Sequence, residues 1–475
     1  MSALQLPDSE FRLLAARMTE IAADFLASLE GLRAFPEVSA ERVTHALAEP
    51  LPEQGLRSGA LAALPDVLAL SRAPTGRFYG YVLGSGEPVA ALADGLTSVL
   101  NQNVTAWRSA PAATTLERGL VNALAHALGC AGFSGSFCGG GSLANLMALA
   151  MARESRLPAN EAGAQPGVIY ASDEVHMSIP KAVALLGLGR ANLRLIAADA
   201  DFRLSAERLR DAVRADRRAG RRPLAVVASA GTVSTGAIDP LTDIAAVCRE
   251  EELWLHADGA YGALAALAAP ALFSGLDAAD SVSLDPHKWL YQPLDCGMLI
   301  YRDPGAARLA FSHTGDYAKS LATDPGEAFT FFDESLELSR RFRALKLWLS
   351  LRYHGLAAFR DAIRRDLAHA QQLAQCVREN PELELLAPVT LSAVCFRLRR
   401  AGAGDASPVN DALDPLNAAV LRRVIARGRV YLSNATVRGR FALRACFVNH
   451  RTSAADVALI VPEVLAAAAE VRASR

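Results

Sequence analysis

A lysine just behind a β-rich run can do chemistry that an arginine cannot. The 475-residue chain carries 49 basic residues, yet only Lys181, Lys288, Lys319 and Lys346 are lysines. Lys288 stands in SVSLDPHKWL, between His287 and Trp289. A desolvated amine loses its proton more readily and attacks carbonyls, whereas a guanidinium stays protonated. Taken alone, Lys288 also reads as a lysine that lays its stem along a sheet edge with its ammonium in water. Asp258 closes the run LWLHAD. A carboxylate at the end of a buried strand needs a cation, although a lone aspartate there is also an ordinary turn residue. Gly139, Gly140, Gly141 and Ser142 precede an apolar-periodic stretch. The free N–H groups of such a helix start suit a phosphate, and a glycine turn capped by Ser142 is the other reading. His176 and Thr232 follow two more β-rich runs.

These residues must be held at one edge by regular elements. Short apolar runs at 167–172, 224–231, 253–258, 281–285 and 297–302 alternate with helical patterns. Near-continuous apolar strands between helices indicate a mostly parallel sheet covered on both faces, an α/β fold. Ligands of such sheets bind beyond the carboxyl ends of the strands, where Lys288, Asp258, His176 and Thr232 fall. Helical patterns fill residues 1–70 and about 88–128. A long helix from about 346 leads to a smaller α+β tail. The chain divides into a helical segment 1–87, a large α/β domain 88–345 and a small domain 346–475. A reactive lysine, an acid for a pyridine nitrogen and a phosphate cradle are the parts that pyridoxal 5'-phosphate requires. A dinucleotide site is the weaker reading of the glycines. The G-x-G-x-x-G spacing is not met, no strand is legible immediately before Gly139, and no acid follows about 20 residues on.

Composition removes other classes. A formal net charge of −1 argues against nucleic acid or a membrane surface as the partner. No apolar run reaches the roughly 18 residues of a membrane span. Seven cysteines, an odd number without C-x-x-C, read as free thiols in a reducing compartment and not as a zinc site. The first residues show no basic-then-apolar signal pattern. The expectation is a cytoplasmic enzyme that acts on a small molecule and holds no metal.

HADGAYG, SVSLDPHKWL and GSFCGGGSLANLMALA together resemble the group II pyridoxal-phosphate-dependent amino acid decarboxylases. GRFYGYVLG, SAPAATTLE, SRRFRALKLWLSLRYHG and LRACFVNHRTS extend the likeness through most of the chain. That family includes aromatic amino acid, glutamate, cysteine sulfinate and diaminobutyrate decarboxylases. The resemblance implies the fold type I architecture of aspartate aminotransferase and release of carbon dioxide from an amino acid to give an amine. It implies a homodimer with shared active sites, in which the N-terminal helices wrap the partner. By the same likeness Lys288 is the Schiff-base lysine and Asp258 pairs with the pyridine nitrogen. His176 stacks on the ring and Ala260 packs on its other face. Thr232 lies beneath the ring, Gly141 and Ser142 bind the phosphate, and His287 positions the phosphate or the substrate carboxylate. Arg444 is similar to an arginine that meets the substrate carboxylate in glutamate decarboxylases. Phe78 and Tyr79 resemble a pocket edge suited to an aromatic substrate. Asn103, with Asn101, resembles the polar segment of the acidic-substrate members.

Three departures stand out. Relatives carry a loop tyrosine ahead of the SRRFRALK helix, where GEAFTFFDESLELSRR offers Phe329, Phe331 and Phe332. In plant relatives the tyrosine accompanies simple decarboxylation, and phenylalanine accompanies oxidative formation of an aldehyde, ammonia and peroxide. Tyr317 is nearby but further upstream. Asp285 stands where animal members often have asparagine. Three glycines replace a cradle that is richer in Ser and Thr.

Overall fold

The computed structural model describes residues 4–313, 324–399 and 413–474, so Tyr317 and Lys319 lie outside the described residues. The first helices are α1 (Asp8–Ser28), α2 (Ala40–Leu47) and α3 (Leu64–Leu70). Two more, α4 (Pro88–Leu100) and α5 (Pro111–Ala127), lead into the sheet. Glu87 caps α4 by accepting from the N–H groups of Val89 and Ala90, at 2.7 and 2.8 Å. Proline at the first turn starts both helices without the loss of a hydrogen bond.

The large sheet is built from β1 (Ser134–Cys138), β2 (Val168–Ser172), β3 (Leu193–Ile196), β4 (Pro223–Ser229), β5 (Trp254–Asp258), β6 (Ser281–Leu284) and β7 (Gly297–Tyr301). Between them run α6 (Gly141–Arg156), α7 (Ser178–Leu185), α8 (Ala206–Arg218), α9 (Leu241–Glu250) and the one-turn α10 (Pro286–Trp289). Its order is β1-β7-β6-β5-β4-β2-β3. Strands β2 to β6 are parallel, and β7 runs antiparallel to both β1 and β6. The apolar runs of β4 and β5 are buried on both faces, as helices on each side require.

One sequence expectation is overturned. A strand does enter the glycine loop directly: β1 ends at Cys138 and Gly139 follows. Its sequence SGSFC lacks the β-branched signature. It pairs residue by residue with β7, from Ser134 opposite Tyr301 to Cys138 opposite Gly297, and this tertiary pairing outweighs local preference.

After α11 (Pro304–Phe311) the chain reaches α12 (Ala344–Glu379), which is interrupted at Gly355 with φ 75°. Its first part packs on α4 and α5 and its second on the small sheet. That sheet comprises β8 (Leu383–Leu385), β9 (Ala393–Leu398), β10 (Ser433–Val437) and β11 (Arg440–Cys446), in the antiparallel order β10-β11-β9-β8. Helices α13 (Asp414–Arg427), α14 (Ala454–Ala458) and α15 (Ile460–Ala473) complete the described chain. The short strands β3, β8 and β10 were not legible in the sequence. All seven cysteines are free, six of them buried. Among the described residues no helix is long and apolar enough to cross a membrane, and no cluster fits a metal ion.

Candidate active site

A cavity of about 420 Å³ opens at the carboxyl ends of the parallel strands. It is lined by Gly139 to Leu143, Asn145, His176, Thr232, Asp258, Ala260, Asp285, His287 and Lys288, among others. The expected cofactor residues therefore meet in one place. Each arrives at the end of a strand or the start of a helix.

The glycine loop is shaped by close approach. Gly140 has φ 137°, open to glycine alone at low cost. A Cβ on Gly141 would sit 2.5 Å from Ala260 Cβ and 3.1 Å from Asp285 Oδ2, and one on Gly297 only 2.2 Å from Gly140 Cα. Helix α6 begins there without a side-chain cap, so its first N–H groups remain for a ligand. Lys288 sits on α10, mostly buried, with Nζ 2.9 Å from Asp285 Oδ2. The other Asp285 oxygen, Oδ1, is buried without a hydrogen-bond partner.

Asp258 is buried at the end of β5 and accepts three hydrogen bonds. Asn145 Nδ2 donates at 2.9 Å, Ser283 Oγ at 3.0 Å and the Ala260 N–H at 3.3 Å. His176 lies 2.8 Å from Ser178 Oγ through Nδ1. Burial holds its imidazole below the ordinary value, so the ring is neutral at pH 7. His287 is lowered in the same way, chiefly by burial. Its Nδ1 accepts from the Cys296 N–H at 3.1 Å, which leaves Nε2 facing Asp285 Oδ2 at 3.5 Å. The Thr232 hydroxyl is 2.9 Å from that of Thr235 and accepts from the Ala237 N–H at 3.1 Å, which fixes the turn beneath the cavity.

Residues 71–399 match the family model of the pyridoxal-dependent decarboxylase conserved domain. The chain belongs to the pyridoxal-dependent decarboxylase family. An aromatic-L-amino-acid decarboxylase of Bacillus atrophaeus is 32% identical to it, over 99% of this chain and 98% of that protein. A phenylacetaldehyde synthase of Petunia hybrida is 30% identical, over 92% of this chain and 90% of that protein. The crystal structure of Oryza sativa TDC with PLP and tryptamine superposes with TM-score 0.91 at 29% identity, and 99% of each chain is covered. This decarboxylase is thus a carboxy-lyase of fold type I whose cofactor is pyridoxal 5'-phosphate. Its residues fit that group. The glycine loop leaves a cradle that a Cβ would fill, a lysine amine lies within the cavity, and a buried carboxylate awaits a cation.

None of the expected substrate residues of the decarboxylase is among the residues that line this cavity within the single chain. Arg444 is buried, and its guanidinium donates to the carbonyls of Val233, Ser234 (3.1 Å) and Tyr81 (3.0 Å). Phe78 stacks on Tyr431 with ring centroids 4.5 Å apart, and Tyr79 packs on Phe447 in the small-domain core. Asn103 Oδ1 accepts from the Arg340 N–H at 2.9 Å. Phe331 is buried with the Arg340 guanidinium 4.1 Å from its ring centre. Arg340 also pairs with Glu117, so this buried ion pair gathers both segments behind β1. The sequence reading passed over Asn145, Ser178 and Ser283. Asn145 carried a signal, a polar residue inside the apolar stretch SLANLMALA.

Proposed function

We propose that the enzyme removes the α-carboxylate of an aromatic L-amino acid as carbon dioxide and releases the amine. The observation that carries this is the convergence of Lys288, Asp258, His176 and the Gly140–Gly141 cradle on one cavity. Bound pyridoxal 5'-phosphate supplies a π system that accepts the electron pair of the breaking bond. Lys288 would hold the cofactor through its amine. Asp258 would pair with the pyridine nitrogen and keep it protonated. His176 and Ala260, both on the cavity wall, would hold the cofactor ring between them and set its orientation. Gly141, Ser142 and His287 would hold the phosphate end, and Thr232 would support the ring.

Two features favour an aromatic over an acidic side chain. Val82, Leu83, Tyr261 and Leu294 give the cavity apolar walls. Among its described lining residues, Lys288 is the one lysine or arginine, and the cofactor takes up its amine. An acidic substrate needs a second cation, and Arg444 is committed to backbone carbonyls. The similar decarboxylase of Bacillus atrophaeus supports the same class.

The working unit is proposed to be a homodimer with shared sites. None of the 21 residues of helix α1 is fully buried by its own chain. Phe11 and Leu13 on it, and Leu92, Leu96 and Val99 on α4, are exposed. A partner subunit would cover them.

The test is a panel of aromatic, acidic and diamino L-amino acids, with carbon dioxide, amine, aldehyde and peroxide all measured. Equal amounts of carbon dioxide and amine from aromatic substrates, without peroxide, are expected. Aldehyde with peroxide would replace this reading by the oxidative one. That outcome has its own support in the similar phenylacetaldehyde synthase and in the stretch GEAFTFFDESLELSRR, which contains no tyrosine.

A further inference from the structure

Behind the cavity, a line of buried polar side chains joins Asp258 to His176. Its centre is Asn145 on α6, 1% exposed. Asn145 Nδ2 is 2.9 Å from Asp258 Oδ2 and 2.9 Å from Ser178 Oγ, and Asn145 Oδ1 is 2.9 Å from His256 Nε2.

The direction of every bond follows from the inventory of donors. A carboxylate only accepts, so the amide turns its NH₂ to Asp258. The second hydrogen of that NH₂ goes to Ser178 Oγ. The carbonyl end then faces His256 Nε2, which must carry a hydrogen. His256 is fully buried on β5, and burial lowers its imidazole to about 4, so it is neutral at pH 7. Its other nitrogen, Nδ1, therefore accepts, with Ser281 Oγ at 2.9 Å. Ser281 Oγ in turn accepts from Trp254 Nε1 at 3.0 Å. On the far side, Ser178 Oγ has already accepted and gives its own hydrogen to His176 Nδ1 at 2.8 Å. The Ser178 backbone N–H also points at that nitrogen, at 3.3 Å. His176 is left with its one ring hydrogen on Nε2.

We infer that Asn145 is a positioning residue, a single amide that fixes the Asp258 carboxylate and the His176 ring relative to each other, with His256 behind it holding the amide's orientation. The inference rests on the cofactor site described above and adds the residues that make it rigid. A half-satisfied buried network is costly, so loss of either member frees the other. His256→Gln keeps an N–H donor towards Asn145, whereas His256→Leu removes it. Ser178→Ala removes the hydroxyl branch to His176 and the acceptor of the second Asn145 hydrogen, and leaves the bond from Asn145 to Asp258 in place.

The experiment uses full-length apoenzyme titrated with pyridoxal 5'-phosphate. Its readouts are the dissociation constant, the visible band of the bound cofactor across pH, and the melting of the apoenzyme. Asn145→Leu and His256→Leu should each weaken cofactor binding about tenfold or more, the worth of one hydrogen bond to a charged group. Both should shift the visible band. His256→Gln should stay within about threefold of wild type, and Ser178→Ala should change the band more than the affinity. Wild-type affinity and band in Asn145→Leu would overturn the inference. So would equal damage from His256→Gln and His256→Leu, which decides the matter even where Asn145→Leu fails to fold. A wild-type apoenzyme that takes up no cofactor is a different result and would overturn the site itself.

Discussion

Asp258 is buried, accepts three hydrogen bonds and forms no ion pair among the described residues. Protein charges left in that condition are costly unless a bound cation completes them. A protonated pyridine nitrogen is such a cation. Asp258→Asn removes the charge and keeps the shape. Turnover should fall by roughly 10²–10³ while the apoenzyme keeps its circular dichroism, because an electrostatic partner of the reaction is lost. Arg444 belongs to the opposite category. Its three carbonyl acceptors tie the 233–234 turn and Tyr81 to β11. Arg444→Met should cost about 2–4 kcal/mol of stability and lower activity equally for every substrate. Denaturant unfolding beside a substrate panel checks this, and a loss confined to acidic substrates would contradict it. Lys288, Asp258 and His176 were legible because reactive types at strand ends are uncommon. Asn145 was not, because one polar residue in an apolar helix also fits that helix's solvent edge. Only the fold brings Asn145, Ser178 and His256 together.

At the level of elements, the join of β1 to α6 does most to shape the site. Gly141→Ala would press a Cβ against Ala260, 2.5 Å away, and against Asp285. Over-packing of this kind costs typically about 1–3 kcal/mol, and about a tenfold loss of cofactor affinity should accompany it in the same titration. The sequence showed the glycines but hid the strand before them, since SGSFC becomes a strand through its pairing with β7. Helix α12 reaches the lysine turn from the other side. Tyr291, three residues beyond Lys288, donates to Asp366 Oδ2 at 2.8 Å. Burial pushes the Asp366 carboxyl up to about 7. An unfolded aspartate titrates near 3.9, so between about pH 4 and 7 the folded state holds the extra proton and stability falls as pH rises. This effect spans at most about 4 kcal/mol. Melting temperatures should therefore favour wild type over Asp366→Asn at pH 5 more than at pH 8. An unchanged difference between the two pH values would count against the link.

Across the whole molecule, the alternation of apolar strands with helices made the large covered sheet legible, and the chemistry at its carboxyl edge followed. The antiparallel β7 within it was not, because strand direction depends on connections that a run of apolar residues does not encode. The proposed dimer rests on α1, none of whose residues its own chain buries fully. Light scattering on a sizing column should give twice the 50.3 kDa chain mass, and removal of residues 1–28 should give inactive monomers. An active monomer would contradict the shared-site dimer. The scarcity of lysine gives the account its sharpest test. Every role assigned to the cavity depends on the cofactor being bonded to Lys288, one of only four lysines in the chain. Borohydride reduction of the loaded enzyme, followed by digestion and mass mapping, locates that bond. The account predicts the pyridoxyl label on the peptide that carries Lys288 and on no other. Label on Lys181, Lys319 or Lys346, or no label in a protein that has bound the cofactor, would contradict it.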